Sequence, residues 1–583
     1  MTHETPDIRA VVGTSCGGWL NYRNPHRVFE THDVGRVLPL LREIESFTDD
    51  EGSEAIGFIS YEAAPAFDPA LGVYGIGDFP LIWFAFFREK ETWTGLPESG
   101  ESLESGVEWK AELSKFDYKD AVRRIKSRLA AGDTYQVNFT YRLRTPFRAD
   151  PYTLFLRLHR NQTPKYSTFI QTGRFSVCSG SPELFFELRN RTLRCKPMKG
   201  TCARGFTVEQ DREAAKNLSN APKARAENVM IVDMVRNDLG RVADLGSVRV
   251  SELFEMEKYP KVWQMTSSVE ARTGASVTDI LRALFPCASV TGAPKPETMR
   301  IIRALEPSPR NVYTGAIGWI GPGRTARFNV AIRTACVDHK SGVAEFGTGG
   351  GIVWDSDAEL EFKETLDKAS ILRGTWPDFQ LLETLLWTPV EGYFLHERHL
   401  SRMHGSADYF DFPFPEAGIR EALHGLVRKH PDAPLRIRIL LARNGTFRLK
   451  KTPLKNAERR SPLRLQWCPF PVQRDSVFLF HKTTHREIYE KARAARPDSE
   501  DVILWNEKGE ITETTVANLV IQADGKYWTP SVSCGLLGGV YRSWLLEQGE
   551  IAEKVLTKAD LERCEAVWCV NSVRKWMKAV VTG

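Results

Sequence analysis

A break at residues 373–379, RGTWPDF, constrains the fold of this chain more than any other feature. The stretch 358–372 before it has a helical pattern, and Gly374 and Pro377 are typical helix-stop residues. After the break an apolar pattern restarts as FQLLETLLW. A chain of 583 residues is long enough to form several cores. We therefore expect separately folded units on the two sides of the break.

Two further polar stretches subdivide the chain. Residues 94–106 lack an apolar period and follow a β-rich region, and residues 450–462 divide the last part of the sequence. Strands and helices alternate irregularly, which favours an α+β protein. The predicted domains are a β-rich region at 1–110, a central unit at 116–373 and a C-terminal unit at 379–583.

The composition excludes several classes of protein. Lys and Arg number 79 against 74 Asp and Glu, so the basic excess of a dedicated nucleic-acid binder is missing. Ten cysteines without a C-x-x-C pair favour reduced thiols over a zinc ribbon or a disulfide framework. The first residues do not have the pattern of a signal peptide, and the densest apolar run, PLIWFAFF, is far shorter than the about 20 residues of a membrane span. We expect a cytoplasmic protein with no nucleic-acid or membrane partner.

A predicted hairpin in the central unit brings a carboxylate and an amine together. Residues 184–188 and 192–196 are predicted as strands around an Asn-Arg turn. This register puts Glu183 opposite position 198, one step from Lys199, unless a bulge shifts it. Burial beside a ligand would favour the neutral, nucleophilic form of the Lys199 amine. A surface ion pair between the two strands is the alternative.

Two further segments of the central unit supply carboxylates. Residues 226–242 are predicted as a buried helix with Glu227 in its first turn. Residues 346–368 begin with a glycine-rich loop, whose backbone N–H groups could receive a carboxylate or a phosphate, and continue as a helix with Glu361 and Glu364 on one face. Carboxylates without thiolates or clustered imidazoles suit Mg²⁺ better than zinc. A solvated acidic helix face is the alternative.

Together, the motifs of the central unit resemble those of the chorismate-utilising synthases. These motifs are SPE (181–183), KPMKGT (196–201), AENVMIVDMVRNDLGRV (226–242), SVTGAPK (289–295), YTGAIG (313–318), NVAIRT (329–334) and GTGGGIVWDSDAELEFKET (347–365). The resemblance implies an α/β/β/α sandwich with one chorismate site and Mg²⁺. The implied metal ligands are Glu227 and Glu364, supported by Glu361. The implied substrate-binding residues are Arg333, Tyr313, Thr291, Gln136 and the backbone at Gly349 and Gly350.

Two positions would choose the reaction within that family. Relatives that make anthranilate carry Ala where this chain has Lys199, and relatives that add water to chorismate carry Lys where it has Gln136. The combination found here is the pattern of relatives that make 4-amino-4-deoxychorismate. The implied mechanism is attack of Lys199 on C2 of chorismate, protonation of the departing C4 hydroxyl by Glu183, and addition of ammonia at C4.

The ammonia needs a source, and a glutaminase would require a Cys nucleophile with a neighbouring His. Cys16, in GTSCGGWL, is the most similar site, and it lacks a strand–elbow–helix context. The resemblance therefore implies a separate glutamine amidotransferase partner, for which free ammonia could substitute.

The C-terminal unit carries a different set of reactive residues. Lys482 follows an apolar stretch, 477–480, that is predicted as a strand, and it precedes a helix that includes 487–494. A lysine at such a junction is a Schiff-base candidate, and a lysine that reaches out from a strand end is the alternative. Glu513 falls at the end of the second strand of a hairpin. Gly539 immediately precedes a helix whose N-terminus would suit a phosphate.

Three histidines, His396, His399 and His404, have a spacing that resembles a metal site. No carboxylate or thiol completes such a site in the sequence, which favours ordinary helix and loop histidines.

The residues of the C-terminal unit resemble the fold-type IV pyridoxal-phosphate enzymes, the group of branched-chain aminotransferases and aminodeoxychorismate lyases. The resemblance implies a two-subdomain fold that is often dimeric. It also implies pyridoxal 5'-phosphate, with Lys482 as the Schiff-base lysine and proton shuttle. Glu513 would pair with the pyridine nitrogen, and Arg402 would bind the phosphate. Further cofactor contacts would come from Asn518, Gly539, Val540 and Ser572.

The two halves together predict a bifunctional enzyme. The first half would make 4-amino-4-deoxychorismate, and the second would eliminate pyruvate from it to give 4-aminobenzoate, a folate precursor. The same synthase fused to an amino-acid transaminase remains open, because motifs alone do not separate lyase from transaminase. A degenerate scaffold that only binds a glutaminase is a third alternative.

Overall fold

The computed structural model describes residues 7–14, 17–99, 107–374, 376–427, 433–454 and 462–582. Cys16 and parts of the two polar stretches, 100–106 and 455–461, lie outside the described residues. The chain divides into two compact units. The first comprises Met1–Ala203 and Ala215–Trp376, and the second comprises Arg204–Ala214 and Pro377–Gly583. Across the described ranges, no helix is both long enough and apolar enough to span a membrane.

The first unit is built on one large sheet with helices on its outer surfaces. Its strands are β1 Arg9–Gly13, β2 Trp19–Thr31, β3 Ala55–Ile59, β4 Ile82–Trp93, β5 Lys110–Ala111, β6 Gln136–Pro146, β7 Tyr166–Gln171, β8 Phe175–Ser181, β9 Leu184–Arg189, β10 Thr192–Lys196, β11 Met198–Ala203, β12 Arg249–Lys258, β13 Val262–Arg272, β14 Gly292–Ala293, β15 Ala316–Gly321, β16 Thr325–Val330, β17 Thr334–Asp338 and β18 Val343–Ile352. Its helices are α1 Val34–Glu51, α2 Ala64–Phe67, α3 Lys115–Ala130, α4 Pro151–Gln162, α5 Val208–Asn220 (shared with the second unit), α6 Pro222–Gly240, α7 Val277–Leu284, α8 Lys295–Leu305 and α9 Ala358–Ala369.

All the strand pairings of this sheet are antiparallel. They follow the order β5-β6-β18-β17-β8-β7-β1-β2-β4-β3-β15-β16-β9-β10-β13, with β14 also paired to β6, and with β11 and β12 also paired to β13.

Side chains alternate between the two faces of these strands, and this alternation builds the layers. In β4, Phe84 and Phe86 join a core that includes residues of α1, α6 and α7. Trp83 and Ala85, on the other face of β4, join a core shared with β1, β7 and β8. Val11 of β1 points away from that shared core into a third core, which includes residues of α3, α4 and α9. Two sheet layers therefore pack between two helical layers, which confirms the predicted α/β/β/α sandwich.

The second unit contains two sheets. A four-stranded sheet has the order β20-β19-β21-β22, and an eight-stranded sheet has the order β25-β24-β23-β30-β29-β26-β27-β28. The strands are β19 Leu381–Thr388, β20 Gly392–Tyr393, β21 Leu435–Leu441, β22 Phe447–Pro453, β23 Leu463–Trp467, β24 Asp501–Trp505, β25 Ile511–Thr514, β26 Asn518–Ala523, β27 Lys526–Pro530, β28 Ala552–Lys554, β29 Ala566–Asn571 and β30 Lys575–Val581. The helices are α10 His396–Phe410, α11 Glu416–Val427, α12 Glu487–Ala494, α13 Val540–Glu547 and α14 Lys558–Arg563.

The segment Arg204–Ala214 belongs to the second unit, although it falls within the sequence range predicted for the central unit. Arg204 donates hydrogen bonds of 2.5 and 2.7 Å to the Asp211 carboxylate and one of 3.0 Å to the Tyr409 carbonyl. The Tyr409 hydroxyl donates to the Gly205 carbonyl at 2.8 Å. This buried ion pair and its hydrogen bonds hold the segment within the second unit.

Several predicted elements are confirmed. The hairpin strands form β9 and β10, the helix before the break is α9, and α12 covers the predicted residues 487–494. The strand predicted at 477–480 is wrong, because Val477–Leu479 is a short 3₁₀ helix. The glycine-rich loop is also wrong, because its glycines lie inside β18. An apolar run or a glycine cluster does not by itself separate strand from turn.

Candidate active sites

The first candidate site surrounds Lys199 on β11. Gly200 has a φ of +102°, and a Cβ there would come within 3.3 Å of Ala224, so only glycine lets β11 approach α6 this closely. Asn228 of α6 donates to the Lys199 carbonyl at 3.2 Å. As a result, the Lys199 Nζ lies 3.6 Å from the Glu227 Oε2, with the lysine side chain only 20% exposed.

A bulge corrects the register predicted for the hairpin. The predicted pairing holds as far as Arg194, which faces Glu187, but then shifts by one so that Lys196 faces Leu184. Glu183 therefore does not face position 198 in the ladder. It instead ends up buried in the turn between β8 and β9, 4% exposed.

Glu183 is a buried carboxyl group that can hold a proton near neutral pH. Ser289 donates to its Oε1 at 2.7 Å. Burial raises the pKa of Glu183 to about 7, while the Ser289 hydrogen bond and the Lys199 charge oppose that rise. A group with these properties suits general acid catalysis.

The side chain of Gln136 lies close to that of Lys199. Its side-chain amide is buried, and neither its nitrogen nor its oxygen has a hydrogen-bond partner among the described residues. A Cβ at Gly351 would lie 3.0 Å from the Lys199 Nζ and 3.3 Å from the Gln136 amide. Both side chains therefore border the same small space, and the hydrogen-bonding capacity of the Gln136 amide is unused by the described residues.

Two carboxylates of α9, those of Glu361 and Glu364, lie near Lys199. Ser356 donates to Glu361 at 2.7 Å, and burial raises the pKa of Glu361. Lys368 pairs with Glu364 at 2.7 Å and lowers the pKa of that carboxyl against the effect of burial. A Cβ at Gly350 would lie 3.2 Å from the Glu361 Oε2, so the glycine leaves room for this carboxylate.

The predicted Mg²⁺ ligands form no closed metal site. In the described part of the chain, no three His, Cys, Asp or Glu side chains converge closely enough to hold a metal ion. The carboxylates of Glu227 and Glu364 pair with amines instead. The donor set nevertheless fits Mg²⁺, because it consists of carboxylate oxygens, the ligands that this ion prefers.

Three of the predicted substrate-binding residues, Arg333, Tyr313 and Thr291, lie in segments that connect the strands. Arg333 has a φ of +52°, and its guanidinium donates to the Lys368 carbonyl. The Tyr313 ring is buried under the Arg142 guanidinium, whose centre lies 5.0 Å from the ring centroid. The Thr291 hydroxyl donates to the Cys287 carbonyl at 3.0 Å.

The backbone at Gly349 and Gly350 is part of an antiparallel ladder, where these residues face Thr140 and Phe139 of β6. The Gly349 carbonyl accepts from the Lys368 Nζ at 2.8 Å. The expected role of these amides therefore stays a prediction, and their setting is a strand rather than a loop.

The second candidate site is a cavity of about 440 Å³ around Lys482. Residues predicted to hold the cofactor line it: Arg402, Glu513, Asn518, Gly539, Val540 and Ser572. The Lys482 carbonyl accepts from the Leu382 N–H at 2.9 Å, which ties its turn to β19. Burial and the neighbouring Arg402 charge lower the pKa of Lys482 to about 8, so the neutral amine is accessible near physiological pH.

Glu513 is held firmly on β25. The Tyr489 hydroxyl donates to its Oε1 at 2.8 Å, and the Asn518 amide to its Oε2 at 3.3 Å. Burial raises the pKa of Glu513 to about 7. A Cβ at Gly539 would come within 2.0 Å of the Asn518 Oδ1, so this position, which immediately precedes α13, requires glycine.

Sequence reasoning missed Glu383, which holds Arg402 and His399 in place at this cavity. Arg402 donates to both Glu383 oxygens, at 2.7 and 2.8 Å, and to the Gly538 carbonyl at 3.0 Å. The Nδ1 of His399 lies 2.7 Å from Glu383. A single carboxylate within the apolar strand LLETLLW was the available signal, because a buried charge needs partners.

Comparisons with known proteins match a different family to each of the two parts of the chain. The family model described as "chorismate binding enzyme" matches residues 15–374, and the one described as "Amino-transferase class IV" matches residues 380–580. The structure of anthranilate synthase component I from Streptococcus pneumoniae TIGR4 superposes with a TM-score of 0.54 at 23% identity, covering 64% of this chain and 94% of that one. That likeness supports the fold.

Curated relatives match the first unit. Aminodeoxychorismate synthase component 1 of Klebsiella aerogenes is 42% identical over 264 residues, which are 45% of this chain and 58% of the relative. The Bacillus subtilis protein of the same name is 40% identical over 268 residues, 46% of this chain and 57% of the relative. The chain thus spans less than two thirds of the length of these relatives. Because the first family model matches more than half of the sequence, the chain belongs to the chorismate binding enzyme family and carries a C-terminal region that matches the class IV amino-transferases.

Proposed function

We propose that this chain converts chorismate and ammonia into 4-amino-4-deoxychorismate, and then releases pyruvate from that product to leave 4-aminobenzoate. The observation that carries the first half is the position of the Lys199 amine. It lies 3.6 Å from Glu227 and beside the unpartnered Gln136 amide. Its charge also opposes the rise in the pKa of Glu183. The curated relatives that bear the name aminodeoxychorismate synthase component 1 support the same activity.

Two side chains carry the first reaction. The neutral Lys199 amine attacks C2 of chorismate, and the Glu183 carboxyl group gives its proton to the departing C4 hydroxyl. Ammonia then adds at C4, and Lys199 leaves C2. General acid help of this kind is worth about 10²–10⁴-fold in rate.

Glu227 and Glu364, supported by Glu361, would hold Mg²⁺ in this site. The bound ion would anchor the ring carboxylate of chorismate and withdraw charge from it. To serve as ligands, Glu227 and Glu364 must give up their contacts with Lys199 and Lys368.

A separate glutamine amidotransferase would supply the ammonia. The relatives are named "component 1", which supports a second subunit. Ammonium salts should replace that partner in a purified system.

The second unit would carry the pyruvate elimination. Pyridoxal phosphate supplies an electron sink when bound to Lys482. Once the amine of the substrate has displaced it from the cofactor, the Lys482 amine would remove the C4 proton, and Glu513 would keep the pyridine nitrogen protonated. The raised pKa of Glu513 and the lowered pKa of Lys482 keep both groups close to the pH range where protons exchange readily.

Three arginines of the cavity favour a substrate with two carboxylates. Arg436 and Arg438 alternate along β21 and so share one face, and Arg486 lies nearby in the same cavity lining. Across the described residues of this unit, none of the three forms an ion pair with a carboxylate. 4-Amino-4-deoxychorismate carries two carboxylates that such groups can bind.

The direct test is to incubate the purified chain with chorismate, ammonium, Mg²⁺ and pyridoxal phosphate. We expect 4-aminobenzoate and pyruvate in equal amounts, and we expect neither from the Lys199→Ala variant. Unchanged synthesis by Lys199→Ala would refute covalent catalysis by that residue. Formation of pyridoxamine phosphate from amino acids alone would favour the transaminase alternative for the second unit.

A further inference from the structure

His399 of α10 has one satisfied and one unsatisfied ring nitrogen. The residue is 2% exposed and lines the cavity together with Arg402 and Lys482. Its Nδ1 lies 2.7 Å from the Glu383 Oε2. Its Nε2 is buried and has no hydrogen-bond partner among the described residues.

The contact with Glu383 fixes which nitrogen carries the proton. The ionised carboxylate accepts hydrogen bonds and has none to donate, so Nδ1 carries the hydrogen. The Nε2 of the neutral ring is then an acceptor without a partner, on a residue that lines the cavity. A buried polar atom without a partner costs stability, and in a binding cavity it points to a ligand that completes the contact.

The donors of Arg402 are largely used within the protein. Its Nε and Nη2 donate to Glu383, and its Nη1 donates to the Gly538 carbonyl. A guanidinium has five N–H groups, so two remain for a ligand. A phosphate group offers more acceptor sites than these two donors can fill, which leaves a place for a second side chain.

We propose that the Nε2 of His399 forms a hydrogen bond with a phosphate oxygen of the cofactor beside Arg402, and that Glu383 is the positioning residue for both side chains. This inference rests on the proposed cofactor site around Lys482. It assigns a role to a histidine whose spacing alone indicated only an ordinary helix residue.

The hydrogen bond requires one proton between Nε2 and the phosphate oxygen. Burial and the charges of Arg402 and Lys482 lower the pKa of free His399, against the opposing effect of Glu383, so the ring is neutral before binding. At neutral pH the phosphate of the free cofactor is mainly dianionic. One proton is therefore taken from solvent on binding, and no other bond forms or breaks in this step.

Paired titrations with pyridoxal phosphate and with pyridoxal, which lacks the phosphate, test this assignment. Both aldehydes react with the same lysine, so the ratio of their dissociation constants isolates the phosphate contribution. His399→Asn keeps a donor close to Nδ1 for Glu383 and removes the ring atom at Nε2. His404→Asn, an exposed position on the same helix, is the matched control.

We expect His399→Asn to weaken pyridoxal phosphate binding by about ten- to a hundredfold, the loss of one charge-assisted hydrogen bond, and to leave pyridoxal binding unchanged. His404→Asn should match the wild type with both compounds. An unchanged affinity ratio in His399→Asn would overturn the proposal. Equal losses for both compounds would also overturn it, because they would place the effect on the lysine or on the fold.

The pH dependence gives a second, independent readout. Because binding takes up one proton, the advantage of pyridoxal phosphate over pyridoxal should fall by up to about tenfold per pH unit above neutral in the wild type, and this slope should be lost in His399→Asn. A ratio independent of pH in the wild type would refute the proton step. If the wild type binds neither compound, the proposed cofactor function fails as well, which separates that outcome from failure of the His399 assignment alone.

Discussion

At the scale of single residues, burial shifts the pKa of one key group at each candidate site. Burial raises the pKa of Glu183 to about 7 and lowers the pKa of Lys482 to about 8. The two shifts have opposite signs because burial disfavours the charged form, which is the deprotonated form of an acid and the protonated form of an amine. Each group thereby reaches the range in which it can give or take a proton near neutral pH.

The Ser289 hydroxyl should help to set the pKa of Glu183, the proposed general acid. It donates to the Glu183 carboxylate at 2.7 Å, which stabilises the charged form and lowers the pKa of Glu183. Ser289→Ala should therefore raise that pKa further. Since a general acid works only while protonated, the descending limb of the kcat/KM profile for aminodeoxychorismate formation should move up by about one pH unit.

The control for this shift is Ser127→Ala, because Ser127 lies exposed on the outer helix α3. Its profile should coincide with that of the wild type. A Ser289→Ala profile that keeps the wild-type descending limb, or moves it to lower pH, would contradict the role of Glu183 as the acid.

At the scale of elements, β18 shows how a strand of glycines makes room for charged groups. A Cβ at Gly351 would meet the movable end of Lys199, whereas a Cβ at Gly349 would meet the backbone of β6, with the Phe139 oxygen at 2.3 Å. A side chain can shift and a paired strand cannot, so the same substitution has different consequences two residues apart.

We expect Gly351→Ala to fold and to lose synthase activity by crowding Lys199 and Gln136. Gly349→Ala should instead destabilise the first unit by several kcal/mol, by the usual cost of a forced core clash. Thermal unfolding and aminodeoxychorismate formation, measured on both variants, separate the two effects. Full synthase activity in Gly351→Ala would show that the space beside Lys199 is not used.

The secondary-structure elements also show which features could be predicted from the sequence and which could not. The pairing of β9 with β10, the helix α12 and the glycine before α13 follow from local patterns, and they were predicted. A bulge was left open as a possibility, and the one after Arg194 could not be located, because no residue pattern of the hairpin marks it. The glycines of β18 were mistaken for a loop because their partner β6 is far away in sequence.

At the scale of the whole molecule, two units alternate along one chain. The chain passes from the first unit into the second at Arg204, returns at Ala215, and leaves again at Pro377. Family motifs singled out Lys199, Glu183, Glu227, Lys482 and Glu513 as candidate site residues. The sequence did not predict that Arg204–Ala214 belongs to the second unit. The partners of Arg204, which are Asp211 and Tyr409, carry no recognisable motif.

The buried ion pair between Arg204 and Asp211 should stabilise the second unit. Asp211→Ala leaves the Arg204 guanidinium buried without its carboxylate, which costs about 3–5 kcal/mol. We expect reduced thermal stability of the second unit and weaker pyridoxal phosphate binding. As a control, Asp408→Ala removes an exposed carboxylate and should change stability by less than about 1 kcal/mol. Equal stability of Asp211→Ala and the wild type would contradict this assignment.

Two inactive variants should complement each other. Lys199→Ala retains the second site and Lys482→Ala retains the first, so a mixture should make 4-aminobenzoate from chorismate and ammonium although neither variant does alone. The intermediate must then pass through solution. A mixture that stays inactive, while Lys482→Ala accumulates the intermediate and Lys199→Ala consumes it when it is added, would show that free exchange does not occur.

The most direct test of the central claim uses the Lys482→Ala variant, which should stop after the first reaction. We would supply chorismate, Mg²⁺ and ¹⁵N-labelled ammonium and determine the position of the label in the product by NMR. We expect ¹⁵N at C4, as in 4-amino-4-deoxychorismate. Label at C2, or a product that contains oxygen instead of nitrogen, would contradict it.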